Sequence, residues 1–154
     1  MIKAWRIVKA RHKKKGFTGD GCQYASGRWH NLMVPVVYCS DSQALSALET
    51  FVHLQEDVKH IKYVSYEVHI PDALILEVES IASLPKRWRK QPAGAGTKKI
   101  GSDWVKSNES AVLSVPSVIL PDSRNYLLNP QHPKFSKITI NTPEPFSFDA
   151  RLWK

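Results

Sequence analysis

The sequence predicts one compact domain of the mixed α/β class, in which β-strands and helices share a single core. Residues 62–70 alternate between apolar and polar side chains, as a half-buried strand does. After Ala44, apolar residues recur at the spacing of an amphipathic helix. Because 154 residues fit one hydrophobic core and leave little for a second, a single domain is expected.

The first half of the chain is predicted to contain three strands and one helix. The strands are predicted at residues 5–8, 34–39 and 62–70, where apolar side chains form short runs or alternate with polar ones. Residues 40–42 supply side-chain oxygens that cap a helix predicted to start at Ala44. The side of this helix that is predicted to face the core consists of Ala44, Leu45, Leu48, Phe51, Val52 and Gln55.

The second half is predicted to be built mainly of short strands joined by turns. Its predicted elements, in order, are a strand at 75–78, a helix at 84–90, a flexible connection at 91–97, a short helix opening at 102–104, a strand at 111–120, a turn-rich segment at 125–133, a strand at 135–141 and an edge strand at 146–149. Pro116 interrupts the strand at 111–120, so Ser117 is expected to lie where the backbone leaves regular pairing.

The net charge of +8 predicts an anionic partner. Nucleic acid, an acidic protein and a phosphate-bearing small molecule all satisfy this requirement. Much of the excess lies in two basic runs at 9–15 and 86–90. Charge alone does not distinguish among these three classes of partner.

Several classes of protein are disfavoured. No stretch approaches the roughly 20 apolar residues of a membrane helix, and the N-terminus lacks the pattern of a signal peptide. Cys22 and Cys39 are isolated and are predicted to be free thiols, and the histidines show no metal-binding spacing. The sequence therefore predicts a soluble cytoplasmic protein without a bound metal.

Arg28, Tyr38 and Glu49 are polar residues that stand out from apolar surroundings, and together they suit a nicotinamide nucleotide. Hydrolysis of an ordinary glycoside needs two carboxyl groups, one of which protonates the leaving group. In NAD+ the nicotinamide is positively charged while attached and leaves as a neutral molecule, so no general acid is needed. One carboxylate therefore suffices.

Each of the three residues has a role in this chemistry. Ionised Glu49 would accept a hydrogen bond from the nicotinamide ribose and stabilise the positive charge that develops on the sugar. Arg28 would hold a phosphate or ribose oxygen with its guanidinium fork. Tyr38 would offer a ring for stacking and a hydroxyl for positioning. The alternatives are ordinary structural roles: a surface carboxylate, a surface ion pair and an aromatic residue at the edge of the core.

Several short segments follow one another in a recognisable order. They are WRI at 5–7, SGRWHN at 26–31, PVVYCS at 35–40, ALSALE at 44–49, VPS at 115–117 and NYLLNPQHP at 125–133. Their order resembles the RES domain family, the toxin half of a bacterial toxin–antitoxin pair. His30 is a departure, because Asn commonly follows Gly-Arg-Trp in the family pattern. The segments extend over nearly the whole chain, which implies one RES domain over residues 1–154.

This resemblance implies a mixed or antiparallel β core related to the ADP-ribosyltransferase toxins. It assigns the NAD-binding cleft to Arg28, Tyr38, Glu49 and Ser117, with Arg6 as a further cleft residue. Ser114 is the alternative to Ser117. The implied activity consumes NAD+ by phosphorolysis or hydrolysis, or transfers ADP-ribose to a protein. NAD+ is then a substrate, inorganic phosphate a co-substrate of the first reaction, and no cofactor is permanently bound.

The resemblance also implies a cognate antitoxin with a Cro/repressor-like (Xre) DNA-binding domain, and it allows a homo-oligomer within that complex. DNA contact would then belong to the partner and not to this chain. A competing hypothesis is a basic nucleic-acid-binding protein or ribonuclease toxin, suggested by the charge and by Trp88 within the run at 86–90. A third is a binding module without catalytic activity.

Overall fold

The computed structural model describes residues 1–54 and 60–153. Within these residues lie eight strands and two α-helices, together with short 3-10 turns. In chain order the elements are β1 (Ile2–Lys9), β2 (Val37–Ser40), α1 (Gln43–Phe51), β3 (Tyr63–Ile70), β4 (Ile75–Glu77), α2 (Ala95–Ser107), β5 (Val112–Pro116), β6 (Arg124–Leu128), β7 (Thr139–Ile140) and β8 (Glu144–Phe146).

The strands form one mixed sheet in the order β4-β5-β6-β2-β1-β3-β7, with β8 also pairing with β3. Strands β4 and β5 are parallel, and the other pairs are antiparallel. The mixed α/β fold predicted from the sequence is therefore confirmed. Among the described residues, neither α-helix is long and apolar enough to cross a bilayer.

Both faces of the sheet are covered by apolar side chains. Val112 and Leu128 pack into one cluster, and their neighbours Leu113 and Leu127 pack into the other. This alternation follows from the two-residue period of a strand. Trp104 of α2 packs into the second cluster, so this helix covers one face of the sheet.

Five predicted strands are confirmed, with changed ends. β1 is longer than the predicted 5–8, because it pairs with β3 along its whole length. β2 begins at Val37 and not at residue 34, consistent with Pro35, which has no N–H to donate to a strand partner. β5 ends at Pro116, and Ser117 donates its backbone N–H to Ser123 in a turn, as the proline predicts.

Two predictions for the C-terminal third are wrong. Residues 125–128 belong to strand β6 and not to a turn, because β2 and β5 flank this segment and satisfy its backbone on both sides. The strand predicted at 135–141 shrinks to β7, preceded by a 3-10 turn at Phe135–Lys137. The edge strand predicted at 146–149 is confirmed only in part: β8 pairs with β3 over Glu144–Phe146, so it shares Phe146 alone with the predicted range.

The predicted helix positions after β4 are also wrong. Residues 84–90 form turns and no α-helix, since Pro85 and Pro92 leave room for little more than one helical turn. Helix α2 begins at Ala95 and not at residue 102. Its glycines permit close packing: a side chain at Gly101 would collide with the carbonyl oxygen of Trp29, at 1.7 Å from an added Cβ.

Candidate active site

A cleft of about 1060 Å³ lies between α1, the sheet and the segments around residues 26–29 and 91–93. Arg6, Arg28, Tyr38 and Glu49 all line it. Ser117 does not line the cleft, but it contacts Glu49 from behind. The structure thus brings the five residues named from the sequence to one region.

Helix α1 points Glu49 inward. Ser42 caps the helix by accepting a hydrogen bond from the Leu45 N–H. The buried side of α1 carries Leu45 and Ser46; at about 100° per residue, Glu49 lies between them around the helix axis. Glu49 therefore occupies the middle of the inward side.

The predicted apolar stripe of α1 is wrong in most of its members. Ala44, Leu48 and Val52 are exposed, whereas Leu45 is buried. The reason is that this helix borders a polar cleft, so its inward side is partly polar. Gln55, the last predicted member, lies outside the described residues.

The Glu49 carboxylate is held by one oxygen. Ser117 donates its hydroxyl to Oε1 at 2.7 Å, and Asn125 donates its amide Nδ2 to the same oxygen at 2.8 Å. Within residues 1–54 and 60–153, no hydrogen bond reaches Oε2. Two neutral donors thus fix the carboxylate and leave its second oxygen for a ligand.

Ser117 donates a hydrogen bond to Glu49 and has no exposed surface that could contact a ligand. Its side chain is fully buried, and its oxygen also accepts hydrogen bonds from the backbone N–H groups of Ile119 and Leu120. Ser114, the alternative, instead accepts a hydrogen bond from Arg124. The geometry therefore places Ser117, and not Ser114, beside Glu49.

Asn125 was missed by the sequence analysis. Ser40 donates its hydroxyl to the Asn125 Oδ1 at 2.7 Å, which orients the amide so that its NH₂ group faces Glu49. Asn125 is nearly buried and lines the cleft. Asn125 is the first residue of the segment at 125–133, which the sequence predicts to be turns. Its buried position on a strand would have pointed to a functional role, but the local sequence does not reveal that position.

Arg28 is anchored by one end of its guanidinium. Nη1 donates to the carbonyl oxygens of Trp88 at 2.8 Å and Lys90 at 2.9 Å. Partial burial lowers the pKa of Arg28, and the charge of nearby Glu49 opposes this change. In the described part of the chain, Nε and Nη2 make no hydrogen bond. They remain available to an anionic group of a ligand.

Tyr38 and His30 form a buried pair. The two side chains meet at 2.6 Å between the Tyr38 hydroxyl and His30 Nδ1, and His30 Nε2 lies 3.1 Å from the carbonyl oxygen of Ala25. Because a carbonyl only accepts, Nε2 carries the proton and Nδ1 accepts from Tyr38. Burial lowers the pKa of His30 and raises that of Tyr38, so both are neutral near pH 7.

The proton of the Tyr38 hydroxyl is therefore already engaged within the protein, and Tyr38 offers a ligand chiefly its ring. Gly27 makes this pair possible, because a Cβ there would lie 2.7 Å from both the Tyr38 hydroxyl and His30 Cε1. His30, the departure from the family pattern, thus positions the predicted aromatic residue.

Arg6 differs from Arg28 in donating from two of its guanidinium nitrogens to backbone carbonyls, which leaves less of the group for a ligand. Nε donates to the Gly16 carbonyl at 2.6 Å, and Nη1 donates to the Tyr38 carbonyl at 2.9 Å. The guanidinium also lies over the ring of Phe17, and burial lowers its pKa. Arg6 lines the cleft but supports the backbone under Tyr38.

The cleft is also lined by two lysines and two histidines, which are Lys9, Lys98, His12 and His53. Cys22 and Cys39 are free, buried thiols, and burial raises the pKa of Cys39 to about 12, which keeps it protonated. No group of three or more His, Cys, Asp or Glu side chains suited to a metal ion occurs in residues 1–54 and 60–153. Among the described residues that line the cleft, one carboxylate therefore faces several cationic side chains and the Tyr38 ring.

The sequence can be compared with those of known families. The RES domain family model matches residues 3–149, and the chain belongs to the RES domain family. It is 36% identical over 152 residues to the Prs ADP-ribosylating toxin of Sphingobium sp. (strain YBL2), covering 96% of this chain and 94% of that protein. Toxin Res of Yersinia enterocolitica is 35% identical over 149 residues, covering 96% and 97%.

A solved structure supports the fold. A chain from the crystal structure of the M. tuberculosis MbcT–MbcA toxin–antitoxin complex superimposes with a TM-score of 0.75. The match covers 95% of this chain and 84% of that chain at 14% identity. At this identity the likeness concerns the fold alone.

Proposed function

We propose that this chain is the toxin of a bacterial toxin–antitoxin system and that it consumes NAD+ by cleaving the bond between nicotinamide and ribose. The observation that carries the proposal is the Glu49 carboxylate, held through Oε1 with Oε2 left for a ligand. Family membership and the relative named as an ADP-ribosylating toxin support it. ADP-ribosylation begins with the same departure of nicotinamide.

Cleavage needs stabilisation of positive charge on the sugar. Oε2 of Glu49 accepts a hydrogen bond from a hydroxyl of the nicotinamide ribose, and the carboxylate stabilises the cationic sugar as the C–N bond breaks. The bonding electron pair moves to the nicotinamide ring nitrogen, which becomes neutral. A nucleophile then forms the new bond at the same carbon.

Arg28 and Tyr38 hold the substrate in this geometry. The free Nε and Nη2 of Arg28 bind a phosphate of NAD+ as a fork. The Tyr38 ring stacks on nicotinamide, and His30 fixes its orientation. Correct placement of the reacting groups accounts for a large part of such rate enhancements.

The nucleophile decides the product. Phosphate gives ADP-ribose-1″-phosphate, water gives ADP-ribose, and a protein side chain gives an ADP-ribosylated protein. The third outcome is the second candidate function, favoured by the name of the Sphingobium relative. All three use the same cleft.

The proposed partner is an antitoxin with a Cro/repressor-like (Xre) domain, which would provide the DNA contact. A toxin–antitoxin complex is the subject of the similar solved structure, which supports a protein partner. A homo-oligomer of this chain within the complex is compatible with the proposal.

The test is nicotinamide release from NAD+ by the purified chain, with and without inorganic phosphate, with the sugar product identified by mass. Phosphate-dependent release would establish a phosphorylase, and phosphate-independent release a hydrolase. Release only with cell extract, together with a labelled protein, would establish the transferase. If no nicotinamide appears in any arm, the proposal fails and the nucleic-acid hypothesis gains weight; RNA binding should then weaken steeply with salt.

A further inference from the structure

The basic run at 86–90 forms a turn in which one side chain has a defined partner. Arg89 donates to the carbonyl oxygen of Val118 from Nε at 3.1 Å and from Nη2 at 2.7 Å. The other three basic side chains of the run are exposed and make no hydrogen bond to the described residues. The charge of this run therefore includes one cation that is engaged with a specific backbone group.

The carbonyl that Arg89 holds belongs to the peptide group between Val118 and Ile119. The N–H of the same peptide group is that of Ile119, which donates to Oγ of Ser117 at 3.1 Å. In a planar trans peptide the C=O and the N–H point in nearly opposite directions, so fixing one fixes the other. Arg89 and Ser117 therefore hold a single peptide group from its two ends.

Ser117 links this peptide group to the carboxylate of the site. Its hydroxyl oxygen accepts hydrogen bonds from the N–H groups of Ile119 and Leu120, and its O–H donates to Oε1 of Glu49 at 2.7 Å. A hydroxyl has two acceptor positions and one proton, so all its hydrogen bonds are used here. Hydrogen bonds in a chain polarise one another, and a charged donor at the start strengthens those that follow.

The turn at 86–90 is also tied to the second candidate residue. Arg28 donates from Nη1 to the carbonyl oxygens of Trp88 and Lys90 at 2.8 and 2.9 Å. These two carbonyls lie on either side of Arg89 in the chain. The same short turn therefore anchors Arg28 directly and reaches Glu49 through Arg89.

Arg89 spans two walls of the cleft without entering it. Residues 91–93 line one wall, and Val118 and Ile119 line another. Arg89 is not among the residues that line the cleft, and its side chain is exposed. Its hydrogen bonds therefore fix the walls and do not reach a ligand in the cleft.

We propose that Arg89 is a positioning residue for the reaction. It holds the peptide group between Val118 and Ile119, which orients Ser117, which in turn holds the carboxylate of Glu49. This role rests on the proposed function, because it takes Glu49 to be the catalytic carboxylate. It also gives the basic run at 86–90 a role that requires no nucleic acid.

The first test is the steady-state kinetics of nicotinamide release by the intact chain. Arg89→Ala should lower kcat about tenfold, because Glu49 is less precisely held. KM for NAD+ should stay within about threefold, since Arg89 does not line the cleft. Arg89→Lys keeps one charged donor and should lower kcat only about threefold. A higher KM with an unchanged kcat would show that Arg89 binds substrate instead, and would overturn the proposal.

The matched control is Arg87→Ala, which removes the same charge from an exposed position in the same turn and should leave both constants within about twofold. A double-mutant cycle then tests the route. Because Arg89 acts through Ser117, adding Arg89→Ala to Ser117→Ala should lower kcat by less than about twofold further. A further tenfold loss in that background would contradict the route through Ser117.

Hydrogen exchange of the Ile119 amide, followed by NMR, tests the same contacts without turnover. In Arg89→Ala this amide should exchange about tenfold faster, because its peptide group has lost the donor that holds it, whereas Arg87→Ala should leave it unchanged. Unchanged exchange in Arg89→Ala would overturn the proposal even if nicotinamide is released. Faster exchange in a protein whose parent releases no nicotinamide would support the hold of Arg89 on Ser117 and count against the proposed function alone.

Discussion

Two carboxylates of this chain are held in opposite ways. Glu79 binds Arg124 through both oxygens, with distances of 2.8 Å from Oε1 to Nη1 and 2.9 Å from Oε2 to Nη2. Glu49 instead binds the neutral side chains of Ser117 and Asn125 through one oxygen. Both oxygens of Glu79 are thus paired with Arg124. Glu49 is fixed through Oε1, and no hydrogen bond from the described residues reaches its Oε2.

The same contrast separates the two arginines that line the cleft. Within the described residues, Arg6 donates through Nε and Nη1 to backbone carbonyls and keeps only Nη2 open, whereas Arg28 donates through Nη1 alone and keeps Nε and Nη2 open. Polar groups that hold a fold satisfy their hydrogen bonds within the protein. Groups that would serve a ligand keep more of their hydrogen-bonding capacity open, and this difference marks Glu49 and Arg28 as the candidate site residues.

Among the residues that support the candidate site, the largest effect is expected for Ser117→Ala. Loss of the hydrogen bond to Glu49 Oε1 frees the carboxylate to move, and misplacement of a catalytic group costs about 100-fold in kcat. KM for NAD+ should change little, because Ser117 is buried behind the cleft. Ser114→Ala is the control, three residues earlier on β5 and equally buried; its kcat should stay within threefold of the parent. Equal losses of kcat in the two variants would contradict the role of Ser117.

Arg6→Leu should act on stability. It leaves the carbonyls of Gly16 and Tyr38 without their donors, which lowers the free energy of unfolding by about 2 kcal/mol. Chemical denaturation measures this change. The control Arg87→Leu alters an exposed arginine and should cost less than about 0.5 kcal/mol. A fully stable Arg6→Leu protein with a tenfold higher KM would show that Arg6 binds the ligand instead.

Arg28→Lys should raise KM for NAD+ about tenfold, since an ammonium group cannot reproduce the fork that spans the two carbonyls and a phosphate. Steady-state kinetics of nicotinamide release measures the change. Arg87→Lys makes the same substitution at an exposed position nearby and should leave KM within twofold. An unchanged KM and kcat in Arg28→Lys would remove Arg28 from the site.

The smallest effect is expected for Glu79→Gln. The hydrogen bonds from Arg124 lower the pKa of Glu79 below its ordinary 4.5. Its contribution to stability is therefore present above about pH 4.5 and is lost as the pH falls through the lowered pKa. Since the pair is solvent-exposed, the substitution should cost only about 0.5 kcal/mol at pH 7. Unfolding curves at pH 7 and pH 3 should differ less in Glu79→Gln than in the parent; an unchanged difference would contradict this pairing.

Local pattern was sufficient for the strands whose sequence reflects their burial. The sequence of β3 alternates because successive side chains of a strand point to opposite faces of the sheet. β5 ends at Pro116, which interrupts the pairing with its neighbour. β6 was missed because Asn125 and Asn129 are typical of turns. Both are buried here by partners distant in sequence, which no local pattern reports.

The site was predictable in part for the same reason. Arg28, Tyr38 and Glu49 stand out as polar residues in apolar surroundings, and the structure brings them to one cleft. The hydrogen bond from Asn125 to Glu49 spans 76 residues, and the contacts of Arg28 with the 86–90 turn span about 60. Such contacts depend on the sheet order. The core-facing residues predicted for α1 were wrong because the prediction from helical periodicity assumes that the helix packs on an apolar core, whereas α1 borders a polar cleft.

The most direct test of the central claim is the rate of nicotinamide release by Glu49→Gln beside Glu79→Gln. The two substitutions are chemically identical. One changes the carboxylate that is held through a single oxygen, and the other changes the carboxylate that pairs with Arg124 through both oxygens. We expect Glu49→Gln to lower kcat about 1000-fold while the protein stays folded. Glu79→Gln should retain the parent rate within twofold. A Glu49→Gln protein that releases nicotinamide at the parent rate would contradict the assignment of Glu49 as the catalytic carboxylate.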